Sequence, residues 1–449
     1  MENIIELDRR YIWHPFTNLK KQDQLPLKNI VRGEGFYVYD EDGNKYMDAI
    51  GSWWSSIHGH RHPRIVKAIK EQLDILDHIH FAGNTHKWAV ELAKRILEIL
   101  GNGFTKAFYS DDGSTAVEVA LKIAYQYFLN KEEERNLFIS LSGAYHGDTI
   151  GSIALGNIDE YHKIFKPFIF KTIHIPAPYC YRCPVGKKKG NCNFECLDNL
   201  IKVLKENKGK IAGIFIEPLF QGASGFIVYP KEYLEQLYNI VKDIDKDILI
   251  IFDEVATGFG RTGEMFAFKH LSFSPDIIAL AKGLGGGPLT IGMTCVKDFI
   301  YQTFENGKYP YLYHGHTYTA NPIVARSGIE SLNIFEEENL IDKVKEKSKY
   351  FRKKIFEYFS DLKFVGDIRQ IGLIGALELI YKDGKRDLTP EENWIVYREV
   401  YKTGFKYGVM LRPLWNVVYF IPYLHITYAE IDKLFEATRK TLIEVYSNF

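Results

Sequence analysis

An α/β fold, with a mostly parallel sheet covered by helices and a smaller α+β domain beside it, is what three features of this 449-residue chain predict. Between residues 103 and 300, short runs of β-branched and aromatic residues alternate with longer stretches of helical period, the pattern of repeated β-α-β units. Most of those short runs are continuously apolar, as strands covered on both faces should be. Polar, chemically active residues recur just after them, where an open α/β sheet binds its ligands.

Taken in order, the first 60 residues are rich in aromatics and contain FYVYDEDGNKYMDAI, a hairpin pattern that turns on Asp-Gly-Asn. The strand candidates of the large domain are KAFYS (106–110), NLFISL (136–141), IAGIFIE (211–217), DILIIFDE (247–254), DIIALAK (276–282) and TIGMTCV (290–296). Between them, STAVEVALKIAYQYFLNKEEER and SGFIVYPKEYLEQLYNIVKDIDK carry apolar residues at i, i+3 and i+4, the spacing of helices that cover a sheet. The last 120 or so residues mix a helical stretch, EENLIDKVKEKSKYFRKKIFEYF, with the short strand-like pieces GALELI, GVMLRP and VVYFIPYL. The expected organisation is therefore an N-terminal segment (1–60) joining a small domain, a large domain over 61–325, and the C-terminal small domain over 326–449.

Composition narrows the function. Lys plus Arg and Asp plus Glu are equal at 57 each, which removes the basic footprint of a nucleic-acid binder. No stretch approaches the roughly 18 apolar residues of a membrane span, and MENIIELDRRYIWHPF has neither a basic nor an apolar leader region. A cytoplasmic enzyme acting on small molecules, with no nucleic-acid or membrane partner, is the expectation.

The strand ends carry a consistent set. After KAFYS, Gly113, Ser114 and Thr115 open a helix whose free N–H groups suit a phosphate, with Asp111 and Asp112 close by. SGAYHGDT offers Tyr145, whose ring can stack on a flat cofactor, and His146. Glu217 ends another strand, and Asp253 and Glu254 end a third whose apolar run demands a cationic partner for a dehydrated carboxylate. Lys282 then follows an apolar run and precedes four glycines in five positions. Each feature alone reads as a cap, a packed ring or a structural ion pair. Together they are the parts that hold pyridoxal phosphate, with a lysine of lowered pKa as the attachment point and an acid facing the pyridine nitrogen.

With IFDEVATGFGRTG and ALAKG in place, the chain resembles the class III, fold-type I aminotransferases over nearly its whole length. The resemblance implies a mostly parallel seven-stranded sheet and pyridoxal phosphate as cofactor. Lys282 would be joined to it, Asp253 would face the pyridine nitrogen, and Val255 and Tyr145 would cover the two ring faces. Gly113 and Ser114 would hold the phosphate, helped by Thr317 from a second subunit, so the resemblance implies a homodimer with shared active sites.

The stretches YIWHPFTNLK, GSWWSSIHGHRHP, AYHGDTIG and GVMLRPLWNVVYFIPYL are most similar to family members that transaminate 8-amino-7-oxononanoate in biotin synthesis. That likeness implies a substrate site containing Phe16, Trp53, Trp54, Arg261 and Arg412, with a guanidinium for the carboxylate and aromatic walls for the methylene chain. Phe16 stands where users of S-adenosylmethionine commonly have tyrosine, and His316 where they usually have proline. The likeness implies S-adenosylmethionine as amino donor, with L-lysine possible because both features resemble the branch that takes L-lysine. The alternative within the family is an enzyme for an ω-amino acid such as 4-aminobutyrate or ornithine.

Cys180, Cys183, Cys192 and Cys196 form a C-x2-C-x8-C-x3-C series. Four thiols suffice for zinc or an iron–sulfur cluster, and they equally suit free thiols in an insertion loop. Cys295 falls within a strand and is expected in the core. A non-catalytic scaffold and a metal sensor are the rival readings, and Lys282 argues against the first.

Overall fold

The apolar runs of the large domain become strands of one seven-stranded sheet in the computed structural model, which describes residues 3–188 and 190–449. Across the sheet the order is Phe104–Ser110, Gly292–Lys297, Ile277–Leu280, Leu249–Asp253, Ile211–Ile216, Leu137–Leu141 and Thr172–Ile175. Gly292–Lys297 runs antiparallel to both of its neighbours, and the remaining pairings are parallel. The central strands are buried along their whole length, which is why they read as unbroken Ile, Leu and Phe.

The helix Gly113–Asn130 packs on Ile277–Leu280 and Gly292–Lys297. Its buried stripe includes Ala116, Val117, Ala120, Ala124 and Phe128, the i, i+4 spacing that a sheet-covering face requires. Phe128 and Val117 have no exposed surface, and each such side chain contributes about 1.5–3 kcal/mol by leaving water. Asp112 caps this helix, accepting from the Thr115 amide at 2.8 Å.

The chain divides into two units, residues 63–345 and residues 1–62 with 346–449. The helix Pro322–Glu337 lies in the first unit, packed on the helices Pro63–Leu73 and Lys87–Leu100, so a boundary at 325/326 falls inside it. The other unit contains a four-stranded sheet of Ile30–Glu34, Tyr37–Asp40, Lys45–Asp48 and Val409–Met410. The expected hairpin is its middle pair, with Tyr37 opposite Met47. A three-stranded antiparallel sheet joins Val365–Ile371, Ile374–Leu379 and Val417–Phe420.

Some details differ from the sequence pattern. The helix expected from Ser224 starts at Lys231, because Ile227–Val228 first pairs with Phe220–Gln221 as a two-stranded ribbon. A left-handed Asn339, φ 48°, separates Pro322–Glu337 from Leu340–Phe359. Just after the hairpin, Gly51–Trp54 forms a single turn in which Ser52, Trp53 and Trp54 all have positive φ. Each such non-glycine residue costs on the order of 1–3 kcal/mol, a cost the surroundings must offset.

Candidate active site

The parallel strands all deliver their carboxyl ends to one edge of the large sheet, and the predicted residues gather there. Asp253 closes the strand Leu249–Asp253 opposite Ala279, three positions before Lys282 in the adjoining chain segment. Asp253 is buried and accepts from the Val255 amide at 3.0 Å. His146 Nδ1 lies 2.8 Å from Asp253 Oδ2, and a carboxylate there makes the imidazole nitrogen the donor. The other ring nitrogen of His146 is buried with no hydrogen-bond partner among the described residues. His146, expected as a cofactor contact, thus serves first as the hydrogen-bond partner of Asp253.

Lys282 opens the short 3-10 turn Lys282–Gly285 with φ 45°, a left-handed conformation that is rare for lysine. Loss of solvation pushes its amine down to about 8, against the opposing pull of Asp253 and Glu217 and with a further push from Arg261. Glu217 is buried and receives the amides of Gly222 at 2.9 Å and Tyr145 at 3.2 Å. Desolvation pushes its carboxyl up to about 7, with His146 opposing and Asp253 reinforcing. Glu254 has a different fate. It has no exposed surface and accepts from the amides of Ala267 and Phe268 and from the Thr257 hydroxyl, so it ties down the following loop.

At the start of Gly113–Asn130, the amides of Gly113 and Ser114 have no acceptor among the described residues, while Asp112 and Asp111 are occupied with Thr115. The nearby acids are therefore part of the cap. A Cβ on Gly113 would sit 2.6 Å from Val255 Cγ1, so glycine here is a packing requirement. Gly147, φ 125°, lets the loop after Leu141 close on Ser114, whose hydroxyl accepts from the Thr149 amide at 3.0 Å. Thr149 and Ser152, which bond to Ser114 side chain and carbonyl, carried no recognisable sequence signal. Tyr145 donates its hydroxyl to Asp148 at 2.7 Å, and its ring lies nearly parallel to that of His162, 11° between planes.

Thr317 is exposed, and the preceding residue, His316, reaches to 4.0 Å from Asp111 of the same chain. Arg261 is 1% exposed and close enough to Lys282 to depress its amine.

The other expected substrate residues lie in the unit formed by both ends of the chain. Arg412 places its guanidinium carbon 4.6 Å from the centroid of Trp53, and Phe16 meets Trp53 edge-on at 5.7 Å. Trp54 turns inward instead, 6% exposed and edge-on to Tyr419, so it backs the turn and Trp53 alone of the pair offers a face to solvent. Tyr397 and Tyr401, both influenced by the Arg412 charge, are members of this cluster that sequence reasoning missed.

The cysteine series gathers as well. Cys196 is buried, and desolvation followed by the nearby Cys183 pushes its thiol up to about 11. Among the described residues, no group of three or more His, Cys, Asp or Glu is arranged to hold a metal ion. Cys295 is buried in its strand. No helix of the described residues is long and apolar enough to cross a membrane.

The family model described as aminotransferase class-III matches residues 19–442. The adenosylmethionine-8-amino-7-oxononanoate aminotransferase of Geobacter sulfurreducens is 41% identical over 445 residues, covering 98% of this chain and 97% of its own. The protein of the same name from Methanocaldococcus jannaschii is 39% identical over 459 residues, covering 98% of both chains. The crystal structure of that enzyme from the same organism superposes with a TM-score of 0.90 at 36% identity and covers 98% of each chain. An omega transaminase from Pseudomonas jessenii, solved in complex with PMP, gives 0.92 at 29% identity over 99% of each chain.

Proposed function

Since the chain belongs to the class III aminotransferases, we propose that it transfers an amino group to 8-amino-7-oxononanoate in biotin synthesis, using pyridoxal phosphate. Lys282 carries the chemical part of this reading: a lysine with a depressed amine, set beside a buried carboxylate at the ligand-binding edge of the sheet. The full-length likeness to enzymes named for that substrate supports the specificity.

The residues fit the cofactor. The unpaired amides of Gly113 and Ser114 at a helix start suit its phosphate. Asp253, held by His146, suits its protonated ring nitrogen, and Val255 and Tyr145 suit its two faces. When bound, pyridoxal phosphate supplies the electron sink that lets a donor amine lose the proton on its α-carbon. Lys282 Nζ is the base that takes this proton and the acid that returns it, and an amine near pKa 8 is matched to both tasks at neutral pH. Asp253 holds the positive charge at the ring nitrogen. Arg412 binds the carboxylate of the oxo acid with two hydrogen bonds, and Trp53 and Phe16 cover its chain. Thr317 of the partner subunit adds to the phosphate site in a cytoplasmic homodimer. S-adenosylmethionine, which the relatives' names carry, is the expected donor, and Phe16 and His316 support L-lysine as the alternative.

Purified protein incubated with 8-amino-7-oxononanoate and either donor should form 7,8-diaminononanoate. Borohydride followed by peptide mass analysis should find the cofactor on Lys282, and Arg412→Ala should raise the KM of the oxo acid far more than that of the donor. Transamination by 4-aminobutyrate or ornithine without turnover of 8-amino-7-oxononanoate would move the protein to the ω-amino acid enzymes, a reading favoured by its omega transaminase neighbours.

A further inference from the structure

Gly51, Ser52, Trp53 and Trp54 follow one another with φ of 53°, 45°, 63° and 77°. Glycine alone enters that region without a steric penalty, so three side-chain-bearing residues in succession require an outside restraint. Asp48 provides one. Its carboxylate is 2% exposed, and Oδ2 accepts from the Ser52 hydroxyl at 2.8 Å and from His60 Nε2 at 3.0 Å. The other oxygen, Oδ1, is buried without a hydrogen-bond partner among the described residues.

Burial alone does not favour a carboxylate at this place, where two donors converge on one oxygen. What the turn presents explains the carboxylate's position. Trp54 points into the core while Trp53 stays 39% exposed, with its indole over the Arg412 guanidinium and against Phe16. A right-handed backbone at Ser52 and Trp53 would carry the indole away from that place. The Arg412 side chain would then lose the aromatic face that limits its rotamers.

We propose that Asp48, acting through Ser52, is a positioning residue for substrate selection: it fixes the left-handed turn so that Trp53 orients Arg412 toward a carboxylate-bearing substrate. The proposal rests on Arg412 as the carboxylate binder of the reading above. Asp48 and Ser52 need not touch the substrate. His60 steadies the same oxygen from the opposite end of the segment.

The test is steady-state kinetics of the full-length, cofactor-loaded enzyme with 8-amino-7-oxononanoate varied, beside Trp53 emission taken as the difference between each protein and its W53F counterpart. Ser52→Ala should raise the KM of the oxo acid about tenfold, the effect of losing one hydrogen bond to a charged group, with kcat and the donor KM within about twofold. Its Trp53 emission should shift. Ser52→Asn, which tolerates positive φ and keeps an N–H for Asp48, should recover both properties. Asp48→Leu, close in volume but without an acceptor, should repeat the KM effect if Ser52→Ala proves too unstable to assay. Arg412→Ala separates the two ideas. If it leaves the oxo-acid KM unchanged, the carboxylate reading falls. If it raises KM while Ser52→Ala alters neither KM nor Trp53 emission, or lowers kcat/KM equally for the oxo acid and the donor, the positioning role is refuted and the parent reading stands.

Discussion

Stripped of cofactor, this protein should own one lysine that titrates far below the others. Burial lowers the Lys282 amine from an ordinary 10.5 to about 8, Arg261 adds to the effect, and Asp253 and Glu217 limit it. An amine at about 8 is roughly 9% neutral at pH 7, against about 0.03% at 10.5, a difference of roughly 300-fold in the nucleophilic form. Competitive acetylation across pH, read by peptide mass analysis, gives the titration of each lysine separately. Residue 282 should reach its midpoint near pH 8 and exposed lysines above about 10. The sign of the coupling supplies a second arm: Asp253→Asn removes a charge that raises the amine, so its midpoint should fall further. Arg261→Met removes one that lowers it, so the midpoint should rise. A wild-type midpoint above 10, or an upward shift in Asp253→Asn, would refute the electrostatic account of this lysine.

Two further outcomes follow from buried carboxylates. Glu254→Ala should destabilise the 63–345 unit by about 4 kcal/mol in denaturant titrations, since three donors lose their acceptor, while Glu254→Gln should cost less and leave kcat nearly intact. A Glu254→Gln protein of normal stability but no activity would contradict the structural role. For Glu217 the folded carboxyl sits near 7, above its ordinary 4.5, so the folded state binds the extra proton and stability declines as pH rises from about 4.5 to 7. Glu217→Gln should remove that part of the decline, at most about 3 kcal/mol between pH 4.5 and 8. Unchanged pH dependence in unfolding curves would count against it.

Much of this architecture was legible because parallel strands buried on both faces must be apolar throughout, and Leu249–Asp253 or Ile211–Ile216 have no other plausible reading. Their polar successors marked the ligand-binding edge for the same reason. The strand Thr172–Ile175 escaped notice because it lies at the sheet edge with only Ile175 buried, so its pattern carries little hydrophobic signal. The division between Trp53 and Trp54 was not visible either. Backbone sign at Ser52 is set by a bond to Asp48, four residues away, and no local propensity favours tryptophan at positive φ. Thr149 and His162 entered the site through loop closure on Ser114 and Tyr145, a tertiary fact without a residue pattern.

Between residues 113 and 255 the protein has left room for one methyl group, and the valine has taken it. The helix start and the strand end therefore share a single joint, with no slack to absorb a larger neighbour on either side. Drift at either position is coupled to the other: a side chain gained at 113 demands one surrendered at 255. A designer wishing to reshape this edge of the sheet must trade the two together.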